Sequence, residues 1–298
     1  MEKKYKSLTI FEFQEQFKED KDCLSYLAAQ KWREGYVCSQ CCHSHYFELK
    51  KGIPYSRQCT KCRYTESPTA GTLFHKVKFS LLKAFYIVYY VSSNKKGISS
   101  TELSRKLGLC QKTCWLFKQK VMVAMRSSGN YPLQKSVEVD ETTIGGQEEG
   151  TRGGKNLNKK LVVLAIERSG KGISRMYGKV ITHASAKELG TFMKSCIDKT
   201  AQIKTDAWIG YAPLKTHFIE LFQIQSGKKG SNFPDMHRVI MGFKGWLREM
   251  HHSVKHLQAY IDEYAYRFNR SSMKEEIFDN LLKRIVRAEP CPHNLIRE

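Results

Sequence analysis

Two Cys-x-x-Cys pairs near the start of the chain limit its fold more strongly than any other feature of the sequence. The first pair is Cys38 and Cys41, and after 18 positions the second pair is Cys59 and Cys62. Each pair brings two thiolates to one side of a tight turn, and two such turns supply the four soft ligands of a tetrahedral zinc ion. Turn and strand residues lie between the pairs, so we predict a zinc ribbon.

Two alternatives accompany this zinc site. The four thiols could form disulfides, but the start of the chain lacks an apolar signal segment, and a cytosolic setting argues against disulfides. Cys42, His43 and His45 could compete as ligands, although four paired cysteines need no further donor. Four of the remaining cysteines are predicted to be small buried side chains without chemistry: Cys23, Cys110, Cys114 and Cys196.

The charge of the chain is unusually positive and unevenly distributed. Its 298 residues include 50 Lys and Arg against 29 Asp and Glu, a formal net charge of +21. Residues 36–135 hold 17 of the basic residues and 3 of the acidic ones. Such a segment favours a polyanion partner, with DNA or RNA first and an anionic membrane surface second. The longest strongly apolar run, 84–91, is too short to span a bilayer. We therefore expect a cytoplasmic, nucleoid-associated protein.

A helix-turn-helix pattern follows the ribbon within the basic segment. Ser100 begins a helix, Gly108 supplies a turn, and an amphipathic helix restarts at 111–125. The same pattern occurs in many proteins that never touch DNA, but the local charge favours a DNA-binding role. Four side chains of the second helix are predicted to meet a groove and its phosphates: Gln111, Lys112, Lys118 and Lys120.

The second half of the chain has the element order of an RNase H-like core. Strands are predicted at 137–144, 161–166, 174–182 and 201–206, with a helix at 186–199 before the last strand and a glycine-rich basic loop at 145–160. The first and fourth strands of that fold are neighbours, so Asp140 and Asp206 would meet. Paired carboxylates can hold two Mg²⁺ ions for phosphodiester chemistry, whereas aspartates that merely cap turns are the alternative.

These elements predict a mixed α+β or α/β chain in three parts. They are an N-terminal helix with the zinc ribbon at 1–70, a helical helix-turn-helix region at 71–132, and an RNase H-like catalytic domain at 133–298.

The third member of the acidic site is less constrained. His237 and Lys244 are seven positions apart on a predicted helix and so share a face. Glu263 lies on the next predicted helix, and a carboxylate suits Mg²⁺ better than an imidazole does. Spacing from Asp206 favours His237, with Glu263 as the alternative.

Taken together, these motifs make the chain resemble the DDE-type insertion-sequence transposases of bacteria and archaea that carry an N-terminal zinc ribbon. The resemblance rests on Trp32-x-x-Gly35-x-x-Cys38-x-x-Cys41, Val139-Asp140-Glu141-Thr142, Thr205-Asp206, His237-Arg238-Val239-Ile240, His251–Tyr260 and Glu263–Arg270. It spans nearly the whole chain.

The resemblance implies a catalytic set of Asp140, Asp206 and His237, with Mg²⁺ or Mn²⁺ at the two aspartates. It places Lys244 near a phosphate and leaves Glu263 as a further active-site residue. The implied enzyme binds the terminal inverted repeats of its own element, cuts the element ends and joins the 3′-hydroxyl to target DNA. Because two ends are cut and joined, a homodimer or higher oligomer on DNA is expected, and no membrane partner is.

Two rival functions stay open at this point. One is an RNase H-like nuclease that only hydrolyses DNA. The other is a domesticated, non-catalytic regulator that uses the zinc ribbon and the helix-turn-helix to bind DNA.

Overall fold

A computed structural model describes residues 8–94, 96–145, 159–170, 172–250, 255–271 and 277–292. The chain divides into two compact units. The first, here the helical unit, comprises Met1–Met125 and Met273–Glu298, and the second, the sheet unit, comprises Arg126–Ser272. The three-part division expected from the sequence stays a prediction. No helix in the described part of the chain is both long enough and apolar enough to span a membrane.

Six α-helices are described in the helical unit. They are α1 Ile10–Gln16, α2 Asp20–Lys31, α3 Leu81–Ser93, α4 Ser100–Leu107, α5 Gln111–Met125 and α9 Ile277–Arg287. The N-terminal helix expected before the ribbon is divided into two helices, α1 and α2. There the Asp22 carboxylate accepts hydrogen bonds from the backbone N–H groups of Lys18 and Glu19, at 2.8 and 3.0 Å, which caps the second helix.

The C-terminal helix α9 packs into the same core as the N-terminal helices. The ring of Phe278 lies 5.6 Å from that of Phe13, centroid to centroid. The backbone N–H of Leu73 donates to the carbonyl of Ile285 at 3.3 Å. The guanidinium of Arg284 donates to the carbonyl of Ala124 at 2.6 Å. The two ends of the chain therefore complete one apolar core.

The ribbon and the helix-turn-helix also belong to the helical unit. The ribbon is an antiparallel sheet of β1 Tyr46–Glu48, β2 Arg57–Cys59 and β3 Thr65–Glu66 in that order. In the helix-turn-helix, the Ser99 hydroxyl caps α4 by accepting from the N–H of Glu102 at 3.1 Å. Gly108 ends α4 in the left-handed conformation, with φ 58°, which glycine adopts without strain. The predicted helix-turn-helix geometry is thus present.

The sheet unit has the predicted RNase H-like topology. Its strands are β4 Ser136–Ile144, β5 Lys160–Ser169, β6 Gly172–Ile181, β7 Gln202–Thr205 and β8 Leu221–Gln223. The strand order is β6-β5-β4-β7-β8. Strands β4, β5 and β6 pair antiparallel, whereas β4, β7 and β8 pair parallel. Most of the predicted glycine-rich loop, residues 146–158, lies outside the described residues.

Helices and irregular segments cover this sheet. The helices are α6 Ala186–Cys196, α7 Pro234–Met250 and α8 Leu257–Asn269, with short 3-10 helices at Ile209–Thr216 and Lys228–Gly230. The apolar side of α6 packs against the alternating residues Val137 and Val139 of β4. Helix α8 packs so closely on β6 that a Cβ on Gly178 would lie 2.9 Å from a methyl carbon of Ile261. A close approach of this kind requires glycine.

Candidate functional site: a carboxylate cluster on two neighbouring parallel strands

The parallel pairing of β4 and β7 brings two predicted aspartates together. Val139 is the register partner of Thr205, so Asp140 and Asp206 follow at the same level of two adjacent strands. Asp140, Glu141 and Asp206 each offer a carboxylate oxygen, and these atoms all lie within 4.8 Å of one another. All three side chains are half-buried. The meeting of the two aspartates is therefore a feature of the strand topology.

Glu141 is a member of this cluster that the sequence reasoning did not single out. It directly follows Asp140 in β4, where a strand alternation sends neighbouring side chains to opposite faces. Its partner on the far face is the fully buried Tyr211 of the first 3-10 helix. Neither Glu141 Oε1 nor the Tyr211 hydroxyl has a hydrogen bond of regular geometry within the described residues. No sequence pattern singled out Glu141, because strand alternation places it on the face opposite Asp140.

The electrostatics of the cluster favour a bound cation. Burial raises the pKa of Asp140, and the charge of Asp206 adds to that shift. Burial, followed by the charges of Asp206 and Asp140, raises the pKa of Glu141 to about 7. Crowded carboxylates with an unsatisfied buried oxygen are a donor set that suits hard divalent ions such as Mg²⁺ or Mn²⁺. The residues present therefore fit the ions expected for a DDE-type enzyme.

Helix α7 directs two predicted residues toward Asp140. The charges of His237 and Lys244 both lower the pKa of the Asp140 carboxyl, against the effect of its burial. Burial, with the nearby Arg248 charge, lowers the pKa of Lys244. The His237 ring lies directly over Gly230, where a Cβ would come within 1.7 Å of Nε2. Gly230 also has φ +74°, so both its conformation and its lack of a side chain are needed there.

An ionic network with two buried carboxylates, Asp235 and Glu138, anchors the start of α7 on the sheet. Asp235 is 6% exposed and its carboxylate lies 3.0 Å from Arg168 Nε and 3.3 Å from an Arg238 nitrogen. Arg168 on β5 also reaches Glu138 at 3.5 Å. Glu138 is two residues before Asp140 on the same face of β4, and burial raises its pKa. This network links the strand that carries Asp140 to the helix that carries His237.

Glu263 does not join the carboxylate group. It lies on α8, fully buried, and its Oε1 accepts hydrogen bonds from Arg267 Nε and Nη2 at 3.2 and 2.9 Å. Its predicted active-site role stays a prediction. Residues 251–254, the start of the family-like string 251–260, lie outside the described residues.

The four ribbon cysteines form a second ligand cluster. The Sγ atoms of Cys38 and Cys62 are 3.5 Å apart, and those of Cys41 and Cys59 are 3.6 Å apart. Tetrahedral zinc with ligands at about 2.3 Å requires sulfur separations of about 3.8 Å, so the cluster has the size of a zinc site. Although burial opposes it, hydrogen bonds from backbone N–H groups and neighbouring thiols lower the pKa of Cys38 to about 6.

The alternative ribbon ligands lie outside this cluster. The four-cysteine group found among the described residues includes neither Cys42 nor the two histidines. His43 Nε2 instead lies 2.9 Å from the Thr60 hydroxyl. Of the cysteines predicted to be buried, Cys110 is exposed because it lies in the turn before α5, whereas three are buried: Cys23, Cys114 and Cys196.

The four predicted DNA contacts of α5 differ in their surroundings. Gln111 and Lys112 are exposed, and Lys120 is half-buried. Lys118 is only 2% exposed, and its ammonium group donates to the carbonyl of Ile98 at 2.8 Å. The expectation of a phosphate contact by Lys118 is therefore corrected, because the side chain lies on the packed face of the helix. The other three stay predictions.

One comparison with known protein families gives a match, and it includes both aspartates of the carboxylate cluster. Residues 132–269 match the family model of the ISXO2-like transposase domain. The match covers just under half of the chain and lies within the sheet unit. No curated protein matches the sequence.

Solved structures give a weaker likeness. The crystal structure of a pre-cleavage Mos1 transpososome matches with 10% identity and a TM-score of 0.29, over 64% of this chain and 74% of that chain. The Mos1 strand transfer complex matches with 10% identity and a TM-score of 0.30, over 68% of this chain and 77% of that chain. Scores this low carry no argument, so the fold assignment rests on the strand order.

Proposed function

We propose that this protein is a DNA transposase that binds the terminal inverted repeats of its own element, cuts at the element ends and joins the 3′-hydroxyl to target DNA. The observation that carries the proposal is the meeting of Asp140 and Asp206 on adjacent parallel strands. That meeting lies inside the segment that matches the ISXO2-like transposase domain. The family match and the carboxylate cluster therefore support the same activity.

Three carboxylates would hold the divalent ions of this enzyme. Asp140 and Asp206 are the ligands predicted from the sequence, and Glu141 adds a third oxygen within 4.8 Å of theirs. Bound Mg²⁺ or Mn²⁺ would activate the attacking oxygen and stabilise the leaving oxygen of a phosphodiester. Tyr211 supports the carboxylates from the opposite face, because its buried hydroxyl favours the charged form of Glu141.

Two residues of α7, His237 and Lys244, would contact the DNA beside the carboxylate cluster. His237 adjoins Asp140 and is held over Gly230, so it can accept or donate a proton at the reacting oxygen, or serve as a weak ligand. Lys244 shares its face and would contact a scissile or flanking phosphate. Glu263, bound to Arg267, is the second candidate for the third catalytic position.

The helical unit would recognise the terminal repeats. The zinc-loaded ribbon supplies a rigid basic module, and α5 offers Gln111, Lys112 and Lys120 to the DNA. Because two ends must be cut and joined in one event, the active form would be a dimer or higher oligomer assembled on DNA, in the cytoplasm with the nucleoid.

One assay separates this proposal from its rivals. A duplex carrying the terminal repeats that flank the gene is incubated with the zinc-loaded chain, Mg²⁺ or Mn²⁺, and a circular target plasmid. Products in which donor ends are joined to the plasmid support the transposase. Cleavage without joining indicates a nuclease, and binding without cleavage indicates a regulator.

Two variants complete the assay. Asp140→Asn should bind the repeats and give no cut or joined product. Glu220→Gln is the matched control, because Glu220 is an exposed carboxylate of the same unit outside the carboxylate cluster, and it should behave as the parent chain does.

A further inference from the structure

Two apolar side chains stand exposed directly beside the carboxylate cluster. Trp208 is 48% exposed and Ile209 is 76% exposed, and both follow Asp206 within three positions. The backbone N–H of Trp208 donates to Asp206 Oδ1 at 3.1 Å, so the tryptophan is tied to a carboxylate that would bind metal. Exposing apolar side chains of this size to water is unfavourable in free energy, and a ligand that covered them would remove that cost.

The indole is held in place although its ring is exposed. Its Nε1–H donates to the carbonyl of Ala184 at 2.7 Å, and the carbonyl of Trp208 accepts from Gln223 Nε2 at 2.8 Å. Gly210 makes this seat possible, since a Cβ there would lie 2.8 Å from the indole nitrogen and 2.7 Å from the Ala184 oxygen. The edge of the ring and the backbone are thus engaged by the protein, and a rigid aromatic surface remains open.

The chemistry next to this surface indicates what would cover it. If the carboxylates act on a phosphodiester, the nucleotide that flanks that phosphate must pass close to Trp208. Duplex bases are already stacked on one another, whereas an unpaired base has an open face that gains by stacking on an aromatic ring. A fixed, half-exposed indole with an adjacent aliphatic side chain suits such a base.

We propose that Trp208 and Ile209 form a stacking platform for an unpaired base next to the phosphate that the carboxylate cluster acts on. The proposal rests on the proposed function for the location of the DNA. It makes Trp208 and Ile209 positioning residues, which favour DNA ends with unpaired nucleotides over fully paired ends.

A binding comparison tests the platform without requiring chemistry. In an Asp140→Asn background, which leaves the DNA uncut, the dissociation constant is measured for a blunt repeat duplex and for the same duplex with three unpaired nucleotides at the cut end. The Asp140→Asn chain, here the parent, should bind the duplex with the unpaired end more tightly. Trp208→Ala should reduce that preference roughly five- to a hundredfold, the range expected from loss of one base–aromatic stack.

Three further variants separate stacking from damage to the fold. Trp208→Phe should retain much of the preference because it keeps a stacking ring. Ile209→Ala, at a largely exposed position, should lose part of it. Ile219→Ala should lose none, because Ile219 is 90% exposed but precedes β8, at the opposite end of the strands from Asp206.

A fluorescence readout completes the test. With 2-aminopurine at the unpaired positions, the parent should quench its emission and Trp208→Ala should not. The platform would be overturned if the parent bound both duplexes with equal affinity, or if Trp208→Ala kept the preference for the unpaired end. It would also be overturned if Trp208→Ala changed self-association and left the DNA preference as it was. Absence of cutting by the Asp140-containing chain on the same DNA would instead count against the proposed function.

Discussion

The four-cysteine cluster of the ribbon and the carboxylate cluster of the sheet unit both gather ligands of like charge, yet they differ in how they are assembled. The cysteines come from two short turns, and each turn carries its pair within four consecutive positions. The carboxylates of Asp140 and Asp206 come from strands that are distant in sequence and meet only through parallel pairing. The first cluster depends on local spacing, and the second depends on the topology of the whole sheet.

The two clusters also differ in what they leave open. Four thiols satisfy tetrahedral zinc completely, which is typical of a structural site. Three half-buried carboxylates do not fill the coordination sphere of Mg²⁺, which leaves positions for water or substrate oxygens. This difference is the reason that we propose a folding role for the ribbon cluster and a chemical role for the sheet cluster.

The largest expected effect concerns the ribbon. Cys59→Ser should remove the zinc and unfold the ribbon, because structural zinc contributes roughly 10 kcal/mol or more to small metal-dependent folds. Zinc content by elemental analysis and binding to the terminal repeats are the readouts. Cys42→Ser is the matched control, since Cys42 is an exposed neighbour outside the cluster. A full zinc complement in Cys59→Ser would show that the ribbon site is wrong.

The next effect breaks the sheet cluster without breaking the fold. Asp140→Asn should reduce cleavage of repeat DNA by at least about a thousandfold, a loss typical of a group that acts in the transition state. In metal-free buffer its melting temperature should equal or exceed that of the parent, because one buried, repelled charge is gone. Residual cleavage at the parental rate would remove Asp140 from the catalytic set.

A third prediction decides between the two candidates for the remaining position. His237→Ala should abolish detectable cleavage, whereas Glu263→Gln should leave some, because Glu263 lies outside the carboxylate group and is bound to Arg267. Gly230→Ala should resemble His237→Ala, since its new Cβ would displace the imidazole. Gly245→Ala on the same helix as His237, where a Cβ meets nothing within 4 Å, is the control. If His237→Ala kept its cleavage activity and Glu263→Gln lost it, Glu263 would replace His237 as the third catalytic residue.

The smallest predicted effect is a pH dependence of stability. The pKa of Glu141 is raised to about 7, so the folded state binds its proton more tightly than the unfolded state does. For the zinc-loaded chain in buffer without added Mg²⁺ or Mn²⁺, lowering the pH from about 8 to 6 should therefore raise the free energy of unfolding by about 1 kcal/mol. Saturating Mg²⁺ should abolish this gain, and so should Glu141→Gln. Denaturant titrations at the two pH values provide the measurement. A free energy of unfolding that falls as the pH is lowered from about 8 to 6 would contradict a raised pKa of Glu141.

Most of the sheet cluster was predictable because its geometry follows from element order. Once three strands, a helix and a fourth strand are recognised, Asp140 and Asp206 are expected side by side on neighbouring strands. Glu141 was not predictable in the same way, since alternation places it on the face opposite Asp140. Only the three-dimensional structure shows that its carboxylate oxygen lies within 4.8 Å of the other two.

The helical unit shows where local patterns fail. The second helix of the helix-turn-helix has the bounds expected from its amphipathic pattern, Gln111–Met125. Its lysines, however, look alike in sequence, and only the packed structure shows that Lys118 donates to the Ile98 carbonyl. The role of α9 in the N-terminal core depends on contacts between the two ends of the chain, which no local pattern encodes.

The central claim, that Asp140, Glu141 and Asp206 form a divalent metal site separate from the zinc site, is tested most directly by binding of Mn²⁺. Electron paramagnetic resonance measures the free Mn²⁺ that remains in a titration of the zinc-loaded chain without DNA, and elemental analysis gives its zinc. Asp206→Asn should weaken Mn²⁺ binding at least tenfold and keep one zinc per chain. Unchanged Mn²⁺ affinity in Asp206→Asn, or a matching loss of zinc, would contradict the account.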